Sequence, residues 1–409
     1  MPILLEEDLC RPLPKMYRVR QQFDETCLTD IEGTLRRELA KSEICALVKP
    51  GMRVAVGVGS RGIQNLSCIV ETTVKGLKEL GAKPFIVSAM GSHGGGTEEG
   101  QREVLAGYGV TEERLGVPVV TTVDTVHLGD CANGRPVWFD RAAYEADLIV
   151  PINRVKLHTD FVGPIQSGLC KMLVIGLGNH KGCSAVHEEA PEVFADVIEE
   201  TARLILKKAP IGFGIAILEN AYDKTYAVEA VPAEGLIERE KELVQIARGN
   251  MPYIMLDEAD VIVCDEIGKD VSGAGFDPNI LGRSSVLKKF VLHIPKYQRL
   301  VLLDVTPASH GIGVGLFDVI TRKVADQLDL EAMYANAIAC NCLIDASVPC
   351  TVDDAETAVR VALKCCRNID RDDPKIIRIK NTLHLGEIEV SEALLGEVAK
   401  NPRMSLIQE

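Results

Sequence analysis

From Arg53 onward, short β-branched runs alternate with stretches whose apolar residues recur every three or four positions. RVAVGV (53–58) and PFIVSA (84–89) predict buried strands, and QNLSCIVETTVKGLKELGA (64–82), which ends around Gly81, predicts the helix between them. Strand, helix and strand in that order make a βαβ unit. Further strands are expected in VPVVTT (117–122), in the hairpin-like HLGDCANGRPVWF (127–139) with Asn133-Gly134 as its turn, and in ADLIVPIN (146–153). PEVFADVIEETARLILKK (191–208) opens with Pro191 and sets Phe194, Val197, Ile198 and Ile205 on one helical face.

A second α/β series starts near Asp257. ADVIVCDEIG (259–268) and RLVLLDV (299–305) read as strands, and helical patterns run through 318–345 and 353–366. A polar helix near 236–248 and the Gly249-Asn250-Met251-Pro252 break separate the two series. The expected class is α/β, with two α/β domains and a ligand cleft between them: residues 1–250 carrying the chemistry and 251–409 closing the substrate site. A length of 409 residues suits that division.

The net charge of −14 disfavours nucleic acid and anionic membrane surfaces and leaves a small molecule as the expected partner. No run of about 18 apolar residues occurs, and acidic residues interrupt the first apolar positions, so a cytoplasmic protein is expected. The thirteen cysteines contain no CxxC pair and read as reduced core thiols.

Three stretches carry candidate chemistry. GVGSRGIQN (57–65) follows a strand and precedes a helix, where backbone N–H groups and the planar fork of Arg61 suit a carboxylate or phosphate. An ordinary tight turn with a surface arginine is the competing reading. In MGSHGGGTEEGQREVL (90–105), Gly91, Gly94, Gly95 and Gly96 surround His93 and let backbone approach a ligand, although a capping histidine in a mobile loop fits the same residues.

The third stretch, HTDFVGPIQSGLCKMLVIGLGNHKGCSAVH (158–187), is loop-rich by its glycines and holds three of the eight histidines. His158 follows a strand's carboxyl end, where open α/β sheets bind ligands. Lys171, between Gly168 and Gly176, sits in an apolar run; either it snorkels to solvent or the amine is chemically used. His187 has Glu188 and Glu189 beside it, which would orient an imidazole; a surface histidine is the alternative. His180 and His187 are seven apart, which matches no standard zinc spacing, so a zinc hydrolase built on that pair lacks ligands.

Taken together, Arg61, His93, His158, Lys171 within GLCKMLVIG and His187 sixteen residues beyond it resemble the lactate racemase family in order, spacing and local context, over about residues 50–190. The resemblance implies a racemase or 2-epimerase of a 2-hydroxy acid that depends on a nickel-pincer nucleotide, the pyridinium-3-thioamide-5-thiocarboxylic acid mononucleotide, loaded by cofactor biosynthesis proteins. It implies that Lys171 tethers this cofactor near Gly94, Gly95 and Gly168, that His187 completes the nickel coordination, that His93 and His158 act as base and acid, and that Arg61 holds the substrate carboxylate.

The departures concern the substrate. The family's D-x-T-R-P is replaced by Val58-Gly59-Ser60-Arg61-Gly62, and its Q-x-x-K clamp has only an approximate counterpart in DEIGKDVSGAGFDPN (265–279). Lys269 is assigned to that role, with Arg283 as a second candidate. Loss of the acidic residue ahead of Arg61 also fits an alternative, a divergent binding protein that holds the nucleotide without turnover.

Overall fold

The structure, a computed structural model, describes residues 4–59, 62–339 and 341–408. The chain forms two compact units, Glu25–Met251 and a second made of Met1–Asp24 with Pro252–Glu409. The sequence reading had placed everything before 251 in one domain. Strand Met16–Gln21 instead pairs antiparallel with Glu387–Ser391 and Met404–Leu406, a partnership between chain ends that no local pattern announces.

In the Glu25–Met251 unit, six strands run in the order Val119–Val120, Lys83–Ser88, Arg53–Val58, Leu148–Arg154, Phe213–Glu219, Thr225–Pro232. All neighbours are parallel except the last pair. Burial on both faces explains the nearly continuous apolar runs: five of the six residues in Arg53–Val58 and six of the seven in Leu148–Arg154 are buried. Helix Leu66–Glu79 covers one face with Leu66, Ile69, Val70, Val74 and Leu77, and the chain turns at Gly81, where φ is +86°. After Arg53–Val58 the chain builds outward to Lys83–Ser88 and Val119–Val120, then returns to the other side of Arg53–Val58 with Leu148–Arg154. That reversal is a topological switch point, and open α/β sheets bind ligands beyond the carboxyl ends of the two strands that flank such a point.

The hairpin expected around Asn133-Gly134 is present as Thr125–Asp130 and Pro136–Asp140. The stretch 158–187 corrects the loop reading. It becomes helical at Leu169, passes through a π-helical turn at Met172–Gly176 and continues as helix Asn179–His187.

The second unit holds an eight-stranded sheet in the order Cys350–Val352, Val319–Thr321, Arg299–Val305, Val261–Ile267, Ile376–Ile379, Glu387–Ser391, Met16–Gln21, Met404–Leu406. The first five strands are parallel. Residues 319–321, expected within a helix, form a buried β-branched strand there, and the helical content of that region begins at Arg322. The α/β class holds for both units. Among the described residues no helix is long and apolar enough to cross a membrane, and every described cysteine is free of disulfides.

Candidate active site

The loops that leave the carboxyl ends of Arg53–Val58, Lys83–Ser88 and Leu148–Arg154 carry Arg61, His93 and His158 respectively. Arg61 lies outside the described residues. Its loop is tied down just beyond it: Arg154 donates to the Gly62 carbonyl at 2.9 Å and pairs with Glu219, which accepts the Gln64 N–H at 2.8 Å.

His158 is positioned by a pinch in the chain. Lys156 and Ser167 exchange backbone hydrogen bonds, closing residues 157–166 into a loop, and the His158 N–H donates to the buried Gln166 at 2.8 Å. The ring stacks on Phe161 with centroids 4.3 Å apart. Its Nδ1 accepts the Asp160 N–H at 3.0 Å, and its Nε2 lies 2.5 Å from Lys171 Nζ.

Those two contacts favour one arrangement of protons. A neutral imidazole has one donor and one acceptor nitrogen, so accepting at Nδ1 puts the proton on Nε2. A donor at Nε2 needs an acceptor opposite, and a lysine nitrogen accepts only as a neutral amine. Burial acts in the same direction. It lowers the pKa of Lys171 and drives that of His158 well below the ordinary value, with the neighbouring Lys171 as the next cause for His158. Lys171 is buried rather than snorkelling to solvent, with its nitrogen against His158 Nε2 and its pKa lowered by desolvation.

Lys171 belongs to the short helical turn Leu169–Lys171, which leads directly into the π-helical turn Met172–Gly176. Gly168 precedes it in an extended conformation, and a Cβ there would sit 2.7 Å from the Glu240 carboxylate. Glu240, fully buried on helix Leu236–Asn250, accepts the Cys170 N–H at 2.8 Å. Asn153, at the end of strand Leu148–Arg154, donates to the Gly168 carbonyl at 2.7 Å.

His187 closes helix Asn179–His187. Its Nδ1 donates to the Cys183 carbonyl one turn back at 2.7 Å, which leaves the Nε2 lone pair available. Contact with Cys183 raises the pKa of His187. Phe194 meets His187 edge-on at 5.1 Å and meets Phe161 at the same distance, so one aromatic wall runs from His158 to His187. Glu189, expected to orient His187, is committed elsewhere: it receives Arg135 at 2.7 Å and Asn133 at 3.0 Å. The Arg135 side chain is 5% exposed and also binds Glu200. That clamp fixes the chain directly after His187.

His93 is exposed and caps the three-glycine turn Gly94–Gly96. Gly91, Gly94, Gly95 and Gly96 all have positive φ, and a Cβ at Gly94 would lie 2.5 Å from the Gly100 carbonyl carbon. The loop rests on the Lys171–His187 segment: Gly91 N–H donates to the Gly176 carbonyl at 3.0 Å, and Gly96 packs beside His180. His180 and His187 are two helical turns apart, a rise of roughly 10 Å, which excludes a shared ion. No group of three or more His, Cys, Asp or Glu among the described residues is placed to hold a metal.

Lys269 lies in the second unit, in the turn after strand Val261–Ile267. Arg283, in the same unit, is held by Asp318 at 2.6 Å and the Leu316 carbonyl at 2.8 Å. Glu240, Arg135 and the Phe161–Phe194 wall were missed by the sequence reading. Glu240 had a signal: it interrupts the apolar face set by Leu236, Leu243, Val244 and Ala247.

The solved lactate racemase apoprotein from Thermoanaerobacterium thermosaccharolyticum superposes with a TM-score of 0.53 at 15% identity, covering 89% of this chain and 93% of that one, which is a likeness of fold. A structural-genomics protein from Thermotoga maritima gives a TM-score of 0.49 at 13% identity over 88% of this chain and 89% of its own. No curated protein sequence matches. Residues 12–195 match the model of the lactate racemase N-terminal domain, so that segment of the chain is similar to the lactate racemase family.

Proposed function

We propose that the protein is a racemase or 2-epimerase of a 2-hydroxy acid that works through a nickel-pincer nucleotide tethered to Lys171. The observation that supports this reading is the Lys171–His158 contact, in which burial lowers the lysine's pKa and so favours the neutral, nucleophilic amine. The remaining residues fit the group. His187 offers a neutral Nε2 of the kind that Ni(II) accepts, and among the described residues no cluster of three or more His, Cys, Asp or Glu joins it, which suits a metal whose other donors belong to the nucleotide. When bound, the group supplies a reversible hydride acceptor for the substrate's C2.

The chain's own part is proton handling and orientation. His158 and His93 are assigned to take the proton of the C2 hydroxyl and to return it, one on each face of the substrate. Once the Lys171 nitrogen is acylated it no longer competes for a proton, which leaves His158 as the carrier. Arg61 is assigned to the substrate carboxylate and Lys269 to substrate selection. Because Val58 stands at the family's acidic position, while Ser60 keeps a hydroxyl, the preferred acid is larger or more acidic than lactate, such as a dicarboxylate or sugar acid. The same replacement favours the second reading, a nucleotide-binding protein without turnover.

The test uses loaded protein from a host that makes the nucleotide. Single enantiomers of a panel of 2-hydroxy acids are incubated in deuterium oxide and resolved by chiral chromatography. The expected result is inversion of such an acid with its C2 hydrogen retained. Lactate as the best substrate would refute the specificity argument, and loaded protein that inverts no acid would establish the binding-protein reading.

A further inference from the structure

We propose that Glu240 is the positioning residue of Lys171: a buried carboxyl group that holds the lysine's turn against His158 by capping the backbone at Cys170. The inference rests on the assignment of Lys171 as the reactive amine. It concerns a residue that is remote in sequence and that never reaches the substrate.

Three facts converge on it. Glu240 is fully buried, an expensive place for a carboxylate unless its oxygens are used. Its Oε2 accepts the Cys170 N–H at 2.8 Å. This is among the first N–H groups of the segment that carries Lys171, which its own helix leaves unsatisfied. On the opposite side Asn153 donates to the Gly168 carbonyl, and the Lys156 N–H donates to the Ser167 carbonyl, so the residue before the turn is held at both of its peptide groups. Gly168 permits the arrangement by close approach: any Cβ would overlap the carboxylate.

A surface cap serves a helix, but here the helical turn is only three residues long before it widens into a π-helical turn. Such a turn has little intrinsic persistence. Its register is set by what it is bonded to, and the Nζ–Nε2 contact at the far end of the lysine side chain follows that register. Helix Leu236–Asn250 thus serves the site through one acidic residue on its apolar face.

The test reads Lys171 itself in unloaded, full-length protein from a host without the nucleotide pathway. Trace acylation between pH 6 and 10, quantified by mass spectrometry of the Lys171 peptide, gives the titration midpoint of the amine in the folded state. The wild-type midpoint is expected below the ordinary lysine range. In Glu240→Ala the cap is lost, and the midpoint should rise by about one pH unit or more as the amine leaves its desolvated contact. Glu240→Gln keeps a capping oxygen and should restore the wild-type midpoint. If the alanine variant does not fold, Glu240→Asp decides: it keeps the charge and withdraws the oxygens by roughly 1.5 Å, about one bond length, and should raise the midpoint as well. Wild-type midpoints in the folded alanine or aspartate variant would overturn the proposal. Since unloaded protein is used, that outcome is independent of whether the nucleotide attaches at Lys171.

Discussion

His158 and His93 are assigned the two ends of one proton transfer, yet the protein holds them in opposite ways. His158 has 15% of its side chain exposed, lies stacked on Phe161, is bonded through both ring nitrogens and is fixed by a pinched loop. His93 is exposed on a run of glycines with positive φ. The comparison teaches that one half of the site is built before any ligand arrives, while the other is presented on a backbone shaped for close approach. Pre-organisation suits the residue that touches the tethering lysine; a loop suits a residue that must reach a substrate.

The largest expected effect separates the two halves by what each substitution does besides slowing turnover. In loaded protein, alanine at His93 or at His158 should each depress interconversion by ~10²-fold or more. His158→Ala should also cost about 1–3 kcal/mol of stability through the lost stacking and hydrogen bonds, whereas His93→Ala should stay within about 0.5 kcal/mol. Kinetics and thermal denaturation together read both. Near-normal rates in both variants would remove the two-base assignment, and equal stability losses would remove the contrast.

A smaller effect sharpens the picture of the pre-built half. Burial pushes Glu240 up to about 7, while in the unfolded chain it titrates near the ordinary carboxylate value. Between those values the folded state binds the additional proton, so stability attributable to Glu240 falls as pH rises through that window. Glu240→Gln lacks this slope. Relative to that variant, wild-type stability should decline by on the order of 2 kcal/mol between pH 5 and pH 7, measured by urea denaturation. A constant difference across that range would show that the carboxyl is ionised throughout.

The two halves were not equally legible in the sequence. Arg53–Val58, Lys83–Ser88 and Leu148–Arg154 announced themselves because parallel strands buried on both faces leave continuous apolar runs. The residues at their carboxyl ends followed from topology. The segment 158–187 looked loop-rich because its glycines were read as freedom, when several serve packing: a Cβ at Gly176 would strike Met172 and the Ala89 carbonyl, and one at Gly182 would press on the Trp138 carbonyl. The partners Glu240 and Arg135 lie 69 residues after Lys171 and 52 before His187, so only the folded chain brings them together. Strand Met16–Gln21 was assigned to the wrong unit for the same reason.

The central claim is that Lys171 is the covalent anchor and His187 the nickel ligand. Intact mass and metal analysis of protein from a host that makes the nucleotide tests it most directly. The account predicts a nucleotide adduct on Lys171 with bound nickel in the wild type, no adduct in Lys171→Ala, and an adduct without nickel in His187→Ala. Unmodified Lys171 in wild-type protein from that host would contradict it.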